Sequence, residues 1–183
     1  MGPGLPDILC LRPRVLFVGI NPGLRSGATG HHFAGRGNPF WRLLHATGLT
    51  PRLLAPEEDG LLPTWGLALT NLCPRTTRTA AELSRAELAA GAAALRAKVE
   101  RLEPTRVAFV GLSVHRAVLG PRATPGPGAV PETLAGARLF VLPNPSGLNA
   151  SYPGFEDKRV WFERLRAALD ADGPDAPPPH PSG

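Results

Sequence analysis

Four short apolar runs, each followed by turn-forming residues, most constrain the fold of this 183-residue chain. The runs are Val15 to Ile20, Leu67 to Leu72, Val107 to Val110 and Leu139 to Leu142. Runs of this length with such ends indicate buried strands. Helical segments separate them, so the connections are crossovers and the strands lie mainly parallel. We therefore predict an α/β fold, a three-layer α/β/α sandwich around a central, mainly parallel four-stranded sheet.

The segment between the second and third runs has the periodicity of an amphipathic helix. Its apolar residues recur at alternating spacings of four and three, at Leu88, Ala92, Leu95, Val99 and Leu102. Ser84 and Glu87 have the spacing of a capping box, and Pro104 ends the segment. We predict a helix from Ser84 to Glu103, in which Gly91 is a slightly unfavourable residue.

Three further helices are predicted from their end residues and apolar content. The first begins with Asn38 as its cap and Pro39 at the first helical position, and it stops at Gly48. The other two run from Ser113 to Leu119 and from about Phe155 to Leu169.

Proline and glycine mark the segments that we expect to be irregular. The stretch from Pro121 to Pro131 reads as a surface loop, and the chain is rich in proline from Gly173 onward. We expect a single domain over residues 1–170 and a disordered tail over residues 171–183. No internal repeat is evident.

The charge of the chain suits a phosphate-rich partner without identifying one. The formal net charge is +5, and almost all of the basic residues are arginine, because Lys98 and Lys158 are the only lysines. Such a balance is typical of nucleic-acid-binding proteins. An Ala, Arg, Gly and Pro-rich composition also follows from a GC-rich genome, so the charge alone decides little.

Cysteine content and hydropathy indicate the compartment. Cys10 and Cys73 are too few for a disulfide framework and do not have paired ligand spacing, which favours a reducing compartment. No run of about 18 apolar residues occurs. We expect a soluble cytoplasmic protein without a cofactor.

Three of the four predicted strands end in asparagine-containing turns. Asn21 lies in Gly-Ile-Asn-Pro-Gly, Asn71 in Thr-Asn-Leu and Asn144 in Pro-Asn-Pro-Ser-Gly. Asparagine beside proline or glycine is common in tight turns, so any one of them has a structural explanation. Ligands of such sheets bind beyond the carboxyl ends of the strands, where all three amides would converge. An amide offers a donor and an acceptor in one plane, which matches the polar edge of a nucleobase.

Several familiar chemistries are poorly supported by these turns. They contain no pair of carboxylates for general acid–base catalysis, no nucleophile elbow and no cysteine cluster. Gly19 to Ser26 lacks the lysine of a phosphate-binding loop, and Gly35-Arg36-Gly37 lacks the third glycine of a dinucleotide fingerprint. The adjacent His31 and His32 do not have metal-ligand spacing. We expect a neutral, hydrogen-bonding site without a metal.

The motifs together resemble the mismatch-specific uracil/thymine DNA glycosylase family of the uracil-DNA glycosylase superfamily. The matching segments occur in the family's order over roughly residues 14 to 169: Gly19-Ile20-Asn21-Pro22-Gly23, Thr29-Gly30-His31-His32-Phe33, Gly37-Asn38-Pro39-Phe40-Trp41, Thr70-Asn71-Leu72 with Arg75-Thr76-Thr77, and Asn144-Pro145-Ser146-Gly147-Leu148. Each segment alone is a weak signal, whereas five in order are specific.

The resemblance implies a division of labour within one pocket. Asn21 would position the attacking water, and Phe33 would stack on the extruded base. Backbone N–H groups near Ile20 and Phe33 would stabilise charge on the leaving base. The implied pocket residues are Ile20, Ser26, His32, Phe33, Asn71 and Asn144. For Phe33, core packing is the alternative explanation.

The second motif would form a wedge that enters the duplex as the base leaves. Leu148 would be the intercalating side chain, and its alternative role is a buried loop anchor. Ser146, Gly147 and Asn149 would lie beside it, near the base opposite the lesion. Many family members have an arginine just beyond this point, where this chain has Ala150.

Pocket residues match two branches of the family. Asn71 and the His31-His32 pair are similar to the thymine branch, whereas Ser26 is similar to the bacterial uracil branch, where it crowds the thymine methyl group. Uracil opposite guanine in double-stranded DNA is therefore the expected substrate. Thymine opposite guanine and ethenocytosine are further candidates. The phosphate-contacting candidates are Arg25, Arg36, Arg75 and Arg78.

A monomeric, monofunctional glycosylase of base excision repair is thus the preferred interpretation. Two alternatives stay open on the sequence. A non-catalytic nucleic-acid-binding α/β module would share the basic surface and the wedge. A nucleotide-binding or phosphohydrolase domain would share the fold, although the required lysine and carboxylates are missing.

Overall fold

One sheet of five strands forms the centre of the molecule. The computed structural model describes residues 4–146 and 149–173. The strands are β1 (Val15–Gly19), β2 (Leu67–Asn71), β3 (Arg106–Val110), β4 (Gly128–Leu134) and β5 (Ala137–Leu142). Their order across the sheet is β2-β1-β3-β5-β4. Strands β2, β1, β3 and β5 pair in parallel, and β4 pairs antiparallel with β5.

The four predicted strands are confirmed within one or two residues at their ends, but the predicted strand number of four is wrong. The fifth strand, β4, occupies part of the stretch that the sequence analysis assigned to a surface loop. Gly128 and Pro131 argued against a strand there. An edge strand tolerates proline because one side of it has no partner, and the register of β4 shifts between Val130 and Thr133. Ala135 and Gly136, both with positive φ, make the tight turn into β5.

Helices cover both faces of the sheet. They are α1 (Leu24–Thr29), α2 (Phe40–Ala46), α3 (Arg85–Leu102), α4 (Leu112–Leu119) and α5 (Phe155–Asp172), and a 3₁₀ segment spans Pro56–Trp65. No helix among residues 4–146 and 149–173 is long and apolar enough to cross a membrane.

Alternation along the strands divides the core between two layers. Phe17 of β1 faces α2 and α5, where it packs with Phe40 and Phe162. Its neighbour Val18 faces α3 and α4, together with Leu95. Successive side chains of a strand point to opposite faces, so a strand buried on both faces reads as a continuous apolar run. The predicted three-layer arrangement is therefore confirmed.

The predicted helix ends agree with the structure at α3, and α5 is longer than predicted. The predicted start of α2 is wrong by one residue, because the helix begins at Phe40 and Pro39 rather than Asn38 is its cap. Ser84 Oγ accepts a hydrogen bond from Glu87 N at 3.1 Å, and a Glu87 carboxylate oxygen accepts one from Ser84 N at 2.7 Å. Helix α5 continues to Asp172, past the predicted domain boundary at residue 170. The side chain of Asp172 is buried between Arg106 and Arg138, and both guanidinium groups pair with its carboxylate. Residues 174–183 of the predicted tail lie outside the described residues.

Gly91 is buried on α3 because the helix lies directly against β2's end. A Cβ added to Gly91 would be 2.4 Å from the backbone oxygen of Leu72. Glycine at this point therefore allows α3 to approach the turn that follows Asn71.

Replacing Gly91 by alanine is expected to destabilise the fold. In an exposed helix the change would stabilise by about 1 kcal/mol. Here the new methyl group overlaps a backbone atom that cannot rotate away, so we expect a net loss of about 1–3 kcal/mol. Urea unfolding measures the difference. Ala90→Gly, on the exposed side of the same helix, should lose about 1 kcal/mol from propensity alone. A more stable Gly91→Ala protein would contradict this account.

Candidate active site

A cavity of about 400 Å³ opens at the carboxyl ends of the parallel strands. Asn21 follows β1, Asn71 ends β2 and Asn144 follows β5, and all three border this cavity. The other predicted pocket residues border it too, and they are Ile20, Ser26, His32 and Phe33. The structure thus brings the seven predicted pocket and catalytic residues together in one place. Volumes of 300–1,000 Å³ are typical of small-molecule sites.

The side-chain amide of Asn21 is fixed by acceptors on its nitrogen. Nδ2 donates to the carbonyl of Arg75 at 2.8 Å and to Thr77 Oγ1 at 2.7 Å, with a longer contact of 3.3 Å to the carbonyl of Pro22. Thr77 Oγ1 itself donates to the carbonyl of Thr79 at 2.8 Å, so it accepts from Asn21. These partners leave Oδ1 as the acceptor that Asn21 offers to a ligand.

Phe33 forms an aromatic wall with one ring face packed on the core. Its ring stacks on Phe40 at a centroid distance of 4.0 Å and an interplanar angle of 24°. Phe33 has a φ of +49°, a left-handed conformation in the turn after the two histidines. The ring borders the cavity and is half-buried. Phe33 therefore packs on the core, as the alternative explanation predicts, and also borders the cavity.

Gly19 leaves room for Asn71 at the back of the cavity. A Cβ on Gly19 would be 2.6 Å from Asn71 Oδ1 and 3.7 Å from Phe33 Cζ. The two residues are partners in the parallel register of β1 and β2. Any larger residue at position 19 would displace the amide of Asn71.

Ser26 and His32 brace the turn that presents Phe33. Ser26 Oγ accepts a hydrogen bond from Ala34 N at 3.1 Å, and Ser26 is buried. His32 Nε2 lies 2.7 Å from the carbonyl oxygen of Pro6, which only accepts, so this nitrogen carries the proton. Burial lowers the pKa of His32 below its ordinary value of 6.5. His32 is therefore neutral at neutral pH.

Asp59, on the 3₁₀ segment, holds the same turn from outside the cavity. Its carboxylate accepts from His32 N at 3.0 Å and from His31 Nδ1 at 3.2 Å. The sequence analysis missed Asp59, because it lies 27 residues beyond His32 and no local pattern links the two.

The loop of the second motif is tied together by its own amides. Asn144 Oδ1 accepts from Ser146 N at 2.9 Å, and Asn149 Nδ2 donates to the carbonyl of Asn144 at 3.1 Å. Ser146 borders the main cavity, whereas Asn149 borders a neighbouring cavity of about 340 Å³. Gly147 and Leu148, both predicted for the wedge, lie outside the described residues.

The four candidate phosphate ligands differ in their surroundings. Arg25 and Arg78 border the cavity and are exposed. Arg36 is exposed beside it, in the turn between two glycines. Arg75 instead pairs with Glu87, with an Nε–Oε1 distance of 2.6 Å, and this guanidinium lowers the pKa of Glu87 to about 2. Arg75 thus stabilises the start of α3.

The described lining of the cavity contains no aspartate or glutamate. Within residues 4–146 and 149–173, no group of three or more His, Cys, Asp and Glu side chains has the arrangement of a metal site. The polar side chains that border the cavity are amides, hydroxyl groups, the neutral imidazole of His32 and the exposed guanidinium groups of Arg25 and Arg78. Thr77 is one of the lining residues that the sequence analysis quoted without assigning a pocket role to them.

An amide-lined cavity with an aromatic wall, at the tips of a parallel sheet, suits a flat polar ring such as a nucleobase. The model of the family described as "Uracil DNA glycosylase superfamily" matches residues 6–169. The chain therefore belongs to the uracil DNA glycosylase superfamily, whose members are DNA glycosylases.

A solved structure has the same fold. It is a solution NMR structure described as "a putative Uracil DNA glycosylase from Methanosarcina acetivorans". The match has a TM-score of 0.59 at 18% sequence identity, and it covers 90% of this chain and 98% of that one. At this identity the similarity concerns the fold.

The buried histidines should make the protein less stable in mild acid. Burial lowers the pKa of both His32 and His115, so the unfolded chain binds protons at a higher pH than the folded one. Stability is then lost as pH falls below about 6.5. Glu58 and Glu87, with pKa values of about 2, stay ionised in this range. The midpoint temperature of thermal unfolding should therefore decrease when the pH is lowered from about 7.5 to about 5.5.

Thermal unfolding of the double variant His32→Gln, His115→Gln tests this explanation. Glutamine has no titration in this range and keeps an N–H donor for the Pro6 carbonyl. We expect a shallower pH dependence than in the wild type. An equal slope in both proteins would assign the effect to other groups.

Proposed function

We propose that this protein is a monofunctional, mismatch-specific uracil/thymine DNA glycosylase that removes uracil opposite guanine from double-stranded DNA in base excision repair. The observation that carries the proposal is the fixed amide of Asn21, which presents Oδ1 at a carboxylate-free cavity walled by Phe33. The protein acts as a monomer and needs no cofactor.

The reaction breaks the bond between the sugar C1′ and the base nitrogen. The bonding electron pair leaves with the base, and the sugar develops oxocarbenium character. A water molecule forms the new C1′–O bond and releases its proton to solvent. Asn21 Oδ1 accepts a hydrogen bond from that water and so fixes its position. An amide cannot take the proton, so the contribution of Asn21 is orientation.

Charge on the departing base is stabilised by backbone hydrogen-bond donors. Backbone N–H groups of Ile20 and Phe33 donate to the base oxygen that gains charge. The absence of carboxylates from the described lining favours this step, because a nearby carboxylate would repel the pyrimidine anion. Phe33 stacks on the everted base, and its packing on Phe40 fixes the plane of the ring.

Base eversion leaves a gap that the second-motif loop fills. Leu148 is the proposed wedge, and Ser146, Gly147 and Asn149 border the opposite guanine. An inserted apolar side chain compensates part of the lost stacking, which costs a few kcal/mol and least at a mismatch. Preference for a G:U mismatch then follows from the lower cost of opening it. Arg25 and Arg78 contact phosphates at the rim.

Uracil is the main substrate, with thymine and ethenocytosine as weaker ones. Ser26 borders the cavity, and its hydrogen bond with Ala34 N fixes its position. From this position it crowds the methyl group of thymine, which uracil lacks. Asn71 and Asn144 supply the amide groups that read the polar edge of the base.

The test is base release from defined duplexes. The protein is incubated with G:U, G:T and G:ethenocytosine duplexes in EDTA, and abasic sites are then cleaved with alkali. Strand scission in the G:U duplex is the expected result. Retardation on a gel without scission would favour a non-catalytic binding module. Chelator-sensitive phosphate release from nucleotides would favour a phosphohydrolase.

Asn21→Ala should abolish uracil excision and leave duplex binding nearly unchanged. The variant loses the acceptor for water but none of the rim that contacts DNA. Single-turnover excision and fluorescence anisotropy with a G:U duplex measure the two properties separately. Turnover at the wild-type rate would remove Asn21 from the proposed mechanism.

Thr77→Val should lower the rate of the chemical step by roughly five-fold, because Asn21 loses one of its shorter hydrogen bonds, worth about 1 kcal/mol. Valine has nearly the same shape as threonine. Thr77→Ser keeps the hydroxyl group and should restore most of the rate. If both variants slow equally, or if only the binding constant changes, Thr77 does not position Asn21.

A further inference from the structure

Residues 4–8 form an N-terminal strap that lies along the outer edge of the sheet beside the cavity. Ile8 and Leu69 of β2 exchange two backbone hydrogen bonds, of 2.9 and 2.8 Å, in an antiparallel bridge. Gly4 lies against Pro74, since a Cβ on Gly4 would be 3.5 Å from Pro74 Cβ. The strap thus crosses the end of β2, where Asn71 stands.

Polar groups fasten the strap to the sheet and to α3. The Asp7 carboxylate accepts from Thr70 Oγ1 at 2.6 Å and pairs with Lys98 Nζ at 2.5 Å. Lys98 Nζ also donates to Thr70 Oγ1 at 2.8 Å, and Thr70 is fully buried. The Asp7–Lys98 pair is partly exposed, and its two contacts with the buried Thr70 hydroxyl group tie the strap to β2 and α3.

A second anchor joins the strap to the opposite side of the cavity. The carbonyl of Pro6 accepts from His32 Nε2 at 2.7 Å. The two residues that follow Leu5 are therefore both anchored. Pro6 is bound by the turn that carries His32 and Phe33, and Asp7 is bound by β2 and α3. This fixes the backbone from which the Leu5 side chain projects.

Leu5 lies between two cavities. It borders the main cavity together with Asn21, Phe33 and Asn71. Leu5 and Asn71 also border a second cavity of about 290 Å³, whose wall includes Ala94, Leu95 and the Asp7–Lys98 pair. The two cavities share these two residues as their common boundary.

We propose that Leu5 is a specificity-determining residue, which separates the base pocket from the second cavity and so limits the size of the pyrimidine substituents that the enzyme accepts. This inference rests on the proposed function and deepens it. A substituent that displaced Leu5 would enter a space lined by apolar groups of α3 and closed by the Asp7–Lys98 pair. The substrate class set by Leu5 is pyrimidines enlarged at C5 or by a ring fused across N3 and N4.

The test compares excision of a size series by variants at position 5. The duplexes carry, opposite guanine, uracil, 5-methyl-, 5-ethyl- and 5-propynyluracil, and ethenocytosine. For each base, the single-turnover rate of a variant is divided by the wild-type rate, which cancels differences in leaving-group chemistry. Relative to its own ratio for uracil, the ratio of Leu5→Ala should rise about ten-fold or more on the largest substituents. Leu5→Phe should lose most on the same substrates.

The control is Leu11→Ala, the same change in the same N-terminal segment at a side chain that is 77% exposed and borders neither cavity. The ratio of the Leu11→Ala rate to the wild-type rate should be the same for every base in the series. Leu5→Val provides a smaller truncation should Leu5→Ala not fold, as judged by thermal unfolding.

The outcomes separate this inference from the proposed function. If the wild type releases no base from any duplex, the proposed function fails. If the wild type excises uracil but the folded Leu5 variants show the same ratio for every base, Leu5 does not set the substituent size and the inference is overturned. A ratio that rises with size in Leu5→Ala or Leu5→Val and falls in Leu5→Phe supports it.

Discussion

The orientation of one amide group governs the arrangement of the cleft. Asn21 Nδ2 donates to acceptors on the loop of residues 75–79, so the position of that loop decides where Oδ1 points. Thr77 N in turn donates to the carbonyl of Pro22 at 3.1 Å. The first motif and the loop after β2 therefore hold each other through reciprocal hydrogen bonds. Neither segment could take this conformation alone without leaving polar groups unsatisfied.

Close packing keeps the loop against the first motif. A Cβ on Gly27 of α1 would be 2.3 Å from Thr76 Oγ1, so glycine lets the helix contact the loop directly. On the other side, Gly91 lets α3 approach Leu72. Arg75 adds a charged contact to Glu87 at the start of α3. Helix α1, the loop of residues 75–79 and helix α3 thus together determine the direction of Asn21 Oδ1.

Carboxylates surround the cleft without entering its described lining. Asp7, Asp59 and Glu87 are absent from this lining, and each is held by a partner: Asp7 by Lys98, Asp59 by the turn of His31 and His32, and Glu87 by Arg75. The lysine, the histidine turn and the arginine that bind them keep their charge away from the cavity. Such an arrangement suits a reaction in which negative charge develops on the departing group. It also explains how a protein with 15 acidic residues has a cleft without one in the part described.

The sequence predicted best those features that depend on neighbouring residues. The parallel strands were found because both of their faces are buried, and α3 because its cap and its apolar face repeat at helical spacing. The convergence of Asn21, Asn71 and Asn144 followed from the topology of a parallel sheet. Strand β4 escaped prediction because it is an edge strand containing Gly128 and Pro131, residues that are unfavourable in central strands.

Features that depend on contacts across the chain were not predictable from local patterns. Asp59 reaches the histidine turn from a 3₁₀ segment, and Asp7 reaches Lys98 across 91 residues. No sequence pattern distinguishes Leu5 either, because its place between the two cavities follows only from the position of the strap. Sequence patterns report which face of an element is buried, whereas the size of a pocket is set by the element that closes it. The strap is that element on one side of this cavity, so under our proposal the substrate range depends on a segment that carries none of the chemistry.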